Sequence, residues 1–312
     1  MSAPAGGAPA DTPAATSPEG TPPSAPPSGG GRDSSRTLLT ILGSPRGALS
    51  TLVLLFVIAC AVFAPLIAPY AYDIQDLPNS NAAPSAEHLM GTDEFGRDLW
   101  SRIVHGARTS LSVALASIAI SVLAGLGLGA SAAYFGGLFD RVVTATVDLT
   151  WSFPEILIAL MLIAIVGPGT QSVMIAISLA YLAQFTRLTR AQILALKGET
   201  YIEVTRNLGA GHFHTIFRHL LPNALTPVIV AGMLATGDAI ILEATLGFFG
   251  LGAQPPVPSW GAMMSSGTAQ IFLAPWIIIF PGLAIAITVI AINLFGDSLI
   301  DALDIRNRLR ES

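Results

Sequence analysis

Cysteine occurs once in this sequence, at Cys60, and lysine once, at Lys197. Charged residues of all kinds amount to 11%, against roughly 25% in an ordinary soluble domain. A lone cysteine inside an apolar run excludes an intrachain disulfide and a thiolate metal cluster. A P-loop needs a lysine after its glycine loop, and the only lysine stands in Ala195-Leu196-Lys197-Gly198, so that route to ATP hydrolysis is closed. Neither a Gly-x-Ser-x-Gly elbow nor a His-Glu-x-x-His helix occurs, which leaves hydrolase chemistry nothing to rest on. The histidines are His88, His105, His212, His214 and His219; without cysteine or a neighbouring carboxylate to complete a zinc site, the last three read as a solvated basic face.

What is abundant is apolar sequence: 52% of residues are hydrophobic and the mean hydropathy is +0.64. Residues 1–36 are the exception. Rich in Pro, Ala, Ser and Gly, they bury too little to offset their ordering entropy, so a disordered tail is expected there and not a cleaved signal peptide. Six apolar segments follow, at about 48–69, 109–134, 142–166, 171–186, 223–247 and 275–296, each read as a membrane crossing of about 20 residues. The fourth is the shortest. The expected organisation is a tail (1–36), an N-terminal region with the first span and an outer loop (37–108), a five-helix membrane domain (109–298) and a C-terminal tail (299–312). The fold class is an all-α membrane protein with six transmembrane helices.

The arginines orient it. With the N-terminus inside, twelve of the fifteen Lys/Arg residues fall on the inner side and only Arg97, Arg102 and Arg108 outside, as the positive-inside rule requires. Both termini are therefore expected to be cytoplasmic. The uncharged stretch from Phe248 to Pro275, with Trp260 followed by Trp276, is expected at the outer interface. Asp98 is placed to cap a short interfacial helix leading into the second span. In that span Gly125 and Gly129 point to close helix packing and not to a dinucleotide loop, because they follow a helix and no strand.

Within the spans, Thr144, Asp148, Trp151, Ser152 and Glu155 recur on one expected helix face, with Pro154 available to bend it. Asp148 and Glu155, and likewise Asp238 and Glu243 in the fifth span, carry charge that costs about 2.5 to 3.5 kcal/mol at mid-membrane. They are candidates for lining a water-filled passage; the competing reading is that they satisfy neighbouring helices or lie near the span ends.

The longest polar stretch between spans, Arg187 to Pro222, reads as two helices. Ala191, Leu194, Ala195, Glu199, Ile202 and Leu208 form the first, which Gly209 ends in a left-handed conformation. Phe213, Ile216, Phe217, Leu220 and Leu221 form one apolar stripe on the second, which is expected to lie against the membrane, and Pro222 starts the next span at its first turn. Glu203 pairs with Arg206 three residues on in the simplest reading, for about 0.2 to 0.5 kcal/mol.

Here Glu203-Val204-Thr205, three residues, Gly209, nine residues and His219-Leu220-Leu221-Pro222 resemble the EAA loop of ABC importer permeases, spanning about 199–222. Val204, Thr205 and His219 depart from the family pattern; the glutamate, the glycine and the Leu-Pro pair are in register. Four further segments carry the likeness from about Pro45 to Arg308: Gly91-Thr92-Asp93 through Gly96-Arg97-Asp98, Leu246-Gly247-Phe248-Phe249-Gly250-Leu251-Gly252, Pro255 through Gly261, and Asn293 through Asp297. They resemble the C-type permease of dipeptide, oligopeptide and nickel importers. The resemblance implies a type I ABC importer permease fold whose loop supplies a cytoplasmic coupling helix, with Glu203, Arg206, Gly209, Leu221 and Pro222 as its ATPase-coupling residues. It also implies partners: a second permease, two cytoplasmic ATPase subunits or domains, an extracytoplasmic binding protein and the bilayer, with no nucleic acid. ATP and magnesium would then sit in the ATPases and no cofactor in this chain. An ion-coupled carrier and a membrane-embedded enzyme are the alternatives; the former often has two similar halves and the latter needs a nucleophile beside a base, and neither is visible.

Overall fold

The computed structural model describes residues 39–311, excepting the side chains of Arg206 and of residues 304–311. The expected tail over 1–36 and the terminal arginines Arg306, Arg308 and Arg310 lie outside what is described. Among the described residues everything regular is helical, apart from one isolated antiparallel bridge between Thr92 and Asp98.

The main helices are α1 (Pro45–Val62), α2 (Leu99–Phe135), α3 (Gly137–Trp151), α4 (Glu155–Val166), α5 (Thr170–Lys197), α6 (Thr200–Asn207), α7 (Leu221–Phe248), α8 (Trp260–Gly267) and α9 (Trp276–Glu311). Five helical stretches are long and apolar enough to cross a membrane, and α3 with α4 makes a sixth, bent by 96°. One end of the bundle is closed by a cap made of residues 69–98 and α8; the other carries the loop from Gly198 to Gly211.

Three boundaries differ from expectation for identifiable reasons. The third span is two helices, because Pro154 has no N–H to give and pushes Phe153 out of the helical region. Asp148 and Glu155 are therefore on separate helices and do not share a face. The fourth span is not the shortest crossing: α5 runs 28 residues and absorbs Ala191, Leu194 and Ala195, which were assigned to the loop's first helix. No short interfacial helix precedes the second span either. Asp98 caps α2 itself, its Oδ2 accepting from the Ser101 N–H at 2.8 Å, and the helix then continues for 37 residues.

In the cap, Asp93 accepts from Arg97 Nε at 2.7 Å and lies 3.3 Å from Arg102 Nε, so all three charges are buried in mutual contact. Trp260 is 2% exposed, with its indole N–H donating to the Ile103 carbonyl at 3.0 Å, and Trp276 donates to the Thr92 carbonyl at 3.2 Å. Trp260 thus pins the cap to α2 and does not float at an interface.

Along α2, Ala114, Ser117, Ser121, Gly125, Gly129 and Ala133 are all buried and recur every three or four residues. Ser117 and Ser121 donate to the carbonyls of Met174 (3.1 Å) and Ser178 (2.7 Å) on α5. A Cβ on Gly125 would lie 2.6 Å from Phe185 Cβ, and one on Gly129 would lie 2.5 Å from the Thr186 carbonyl oxygen, whereas one on Gly127 would meet nothing within 4 Å. Small residues are what allow two helices to approach this closely in lipid. Accordingly Gly125→Ala and Gly129→Ala are each expected to lower the thermal midpoint of the detergent-purified protein, by a loss of about 1 to 3 kcal/mol for overpacking. Gly127→Ala, as the control, should leave the scanning-fluorimetry midpoint unchanged or slightly raised.

Candidate functional site

The loop leaves α5 at Gly198, whose N–H turns back to the Ala195 carbonyl. After α6, Gly209 takes φ +86°. No atom lies within 4 Å of a Cβ built there, so glycine is needed for the backbone conformation and not for space. Winding then resumes at His212 and continues without interruption to Phe248. Pro222 stands in the first turn of α7, as expected, although helical turns of another winding already precede it. The turns before it, Thr215–Leu220, adopt i→i+5 winding, an adjustment suited to a residue that cannot donate to the preceding carbonyl.

The apolar stripe on this arm is split. Ile216 and Leu220 are buried with Ile193, Ile202, Ala130 and Tyr134, while Phe213 and Phe217 are exposed and stacked on each other at 6.2 Å. Leu221 is half-buried and Pro222 exposed. Val204 and Leu208 are exposed on α6 with Glu203, whereas Phe213 and Phe217 are exposed on the second arm, where they line a groove with Leu123, Gly127 and Phe135 of α2. On α6, which lies outside the apolar runs, exposed Val204 and Leu208 beside a carboxylate suit contact with another protein. The side chain of Arg206, the expected partner of Glu203, lies outside the described residues.

The four intramembrane carboxylates part company. Asp148, Glu155 and Asp238 are exposed. Glu155 opens the α4 helix and lines a cavity of about 340 Å³ with Trp151, Ser152 and Gln184. Asp238 on α7 is within electrostatic range of Glu155, and the otherwise buried Tyr181 on α5 is within range of both. Glu243 is elsewhere. It is 2% exposed, faces the hydroxyls of Ser110 and Ser259 and leaves Oε2 unpartnered, so the structure places it in the α2–α7–α8 contact and not on an open surface.

Sequence reasoning missed Tyr181, an ordinary aromatic in an apolar run, along with Tyr134 and Asp140, which contact the loop and α5. Nothing in their local sequence distinguishes them. The exposed Phe213 and Phe217 were visible only as part of a stripe whose buried edge the surrounding fold decides.

These features define a helical integral membrane protein with one exposed apolar loop at one end and unshielded carboxylates along a broken span. Residues 125–309 match the family described as binding-protein-dependent transport system inner membrane component, and residues 42–84 match the N-terminal TM domain of oligopeptide transport permease C. The chain is 42% identical over 247 residues to the dipeptide transport system permease protein DppC of Alkalihalophilus pseudofirmus, covering 79% of this chain and 81% of that one. It is 41% identical over 254 residues to the glutathione transport system permease protein GsiD of Pectobacterium atrosepticum, covering 81% and 84%. The inward-facing MetNI methionine ABC transporter shares the fold, with a TM-score of 0.53 at 21% identity over 64% of this chain and 95% of that one. The chain belongs to the binding-protein-dependent transport inner-membrane component family and has the type I ABC importer permease fold.

Removing the Glu243 side chain leaves two buried hydroxyls facing a void, a loss of about 1 to 3 kcal/mol. Glu243→Ala should therefore lower the thermal midpoint of the purified protein clearly, and Glu243→Gln, which keeps the shape and hydrogen-bonding capacity, should lower it less.

Proposed function

We propose that this chain is one of two permease subunits of an ATP-driven importer of di- or oligopeptides in a bacterial inner membrane. It forms half of the translocation pathway. The observation that carries this is the loop: Glu203 with the exposed Val204 and Leu208 on α6 projects from a bundle whose sequence has no P-loop, so it suits a cytoplasmic ATPase that supplies the energy. In this reading the loop end and both termini face the cytoplasm, the capped end receives an extracytoplasmic binding protein, and ATP and magnesium belong to the two ATPase subunits or domains. A second permease covers the exposed face of α3, α4 and α7. Glutathione is the second substrate reading, supported by the GsiD relative; being a tripeptide, it keeps the class and changes only the cargo.

Glu203 accepts hydrogen bonds from the ATPase, which are stronger for an ionised acceptor. Gly209, with Leu221 and Pro222 behind it, holds the angle between the arms; the role assigned to Arg206 is to support Glu203 from the same helix. Along the route, Glu155 and Asp238 with the Tyr181 hydroxyl meet the ammonium group of a passing peptide, and Asp148 extends the acidic lining.

A complex of this chain with its second permease, ATPases and binding protein, reconstituted in liposomes, should take up labelled dipeptide only when ATP and the binding protein are both supplied. Uptake by this chain alone on an ion gradient would replace the reading with a carrier. Gly209→Val adds a backbone strain of at least about 1 to 2 kcal/mol in the left-handed region. It should leave membrane insertion intact while lowering uptake per ATP hydrolysed. For the route, Glu155→Gln and Asp238→Asn should each raise the KM for uptake of a dipeptide by up to tenfold, the weight of one charge-assisted hydrogen bond; wild-type uptake in both would remove the pair from the pathway.

A further inference from the structure

The loop is fastened to the end of α2 by contacts outside the motif that made it recognisable. Lys197 Nζ donates to the carbonyl of Tyr134 at 2.8 Å and to that of Ala133 at 3.3 Å. These belong to the last turn of α2, where carbonyls lack helical partners and a cation is favoured by the helix dipole. The same ammonium lies 5.7 Å from the centroid of the Tyr134 ring. The Tyr134 hydroxyl in turn pairs with His212 Nδ1 at 2.9 Å, at the first residue of the loop's second arm. One tyrosine thus holds both arms: the first through Lys197, one residue before the chain leaves α5, and the second through His212. Beside it, Arg190 on α5 grips Asp140 on α3 with two hydrogen bonds, of 2.6 and 2.8 Å.

The helix so gripped is one of three long helical stretches among the described residues, with His212–Phe248 and α9, and the one tied to the loop by side-chain contacts at its end. At 37 residues, α2 is about 55 Å long, whereas a hydrocarbon core is about 30 Å thick. No proline interrupts it. Its far end is fixed in the cap: Arg102 Nη1 donates to the Tyr72 carbonyl at 2.9 Å, Asp98 accepts from the Ser101 N–H and hydroxyl, and the indole of Trp260 holds the Ile103 carbonyl. A single unbroken element therefore has one end tied to the loop and the other to the opposite face of the protein.

We propose that α2 is a rigid rod relaying events at the capped face to the loop, and that Lys197 and Tyr134 are the positioning residues that join rod to loop. The inference rests on the permease reading, in which the cap meets the binding protein and the loop meets the ATPases. Docking on the cap displaces the outer end of α2; the inner end carries Tyr134 with it, and the two arms follow through Lys197 and His212. Loss of either tie lets the loop lag behind the rod. Tyr134 itself is buried, but Lys197 is half-buried and His212 exposed, so Lys197→Met and Tyr134→Phe each remove one tie while keeping the buried ring.

The test uses the complete complex, with second permease, ATPases and binding protein, in lipid nanodiscs. ATP hydrolysis is measured with and without the cargo-loaded binding protein. Lys197→Met keeps the apolar stem and Tyr134→Phe keeps the ring. Each is expected to retain basal hydrolysis and the wild-type thermal midpoint while the stimulation by binding protein falls about fivefold, the shift carried by one ordinary hydrogen bond. Lys197→Arg, which preserves a cation with donors, should stay within about twofold of wild type, since it keeps the same charge at the helix end. Wild-type stimulation in both Lys197→Met and Tyr134→Phe overturns the rod, as does a proportional fall in basal and stimulated rates, which marks a purely structural role. A wild-type complex showing no stimulation at all overturns the importer reading instead.

Discussion

The seam between α2 and α5 is the contact on which the rest of this structure depends. In lipid there is no hydrophobic drive to press one apolar helix against another, so association rests on close packing and on polar groups satisfied between helices. The seam supplies both. Gly125 and Gly129 let the two backbones touch, and Ser117 and Ser121 hand their hydroxyls across to carbonyls of α5. The loop starts where α5 ends, and the cap rests on the other end of α2. Any loosening of this seam would separate the two ends of the molecule mechanically even if every helix remained intact.

Charge placement follows from the same solvent. The two arginines of the cap are not free: Asp93 faces both, and burying three charges is tolerable because they are paired and because Asp93 also accepts backbone N–H groups from Phe95 and Arg97. At the other end Lys197 and Arg190 are engaged by carbonyls and by Asp140. The result is two stiff ends joined by a long helix. At the loop end α6 keeps Glu203, Val204 and Leu208 exposed, which suits contact with another protein.

Much of this was legible in the sequence because periodicity and composition act locally. The apolar runs located the crossings, Asp98 announced a helix start, the small residues of the second span announced a close contact, and Gly209 announced a turn that only glycine enters readily. What escaped depended on geometry set elsewhere. Ile216 and Leu220 pack on Ile193, Ile202 and Tyr134 while Phe213 and Phe217 do not, and which edge of the stripe meets those partners is set by the fold around it. Pro154 was seen as a bend, yet the chain breaks by 96°, which places Asp148 and Glu155 on different helices. Glu243 looked like its neighbour Asp238 in sequence; the difference lies in Ser110 and Ser259, both in contact with it in the fold and neither within its helix.

The break in the third crossing bears on what must surround this subunit. A helix interrupted inside hydrocarbon leaves backbone N–H groups at the start of its second half without helical partners, and such groups are tolerated at membrane depth only against protein or water. At this break Glu155 is exposed, and Asp238 stands uncovered on the helix within electrostatic range of it, each costing a few kcal/mol if it faced lipid tails. The chain by itself does not shield these carboxylates. A lone subunit in a bilayer would therefore carry an energetic deficit concentrated on one face, whereas the same face set against a second subunit across a watered passage would carry none. The exposed carboxylates beside the break thus favour placing the proposed route and the proposed second permease on this face, by the cost of lipid contact.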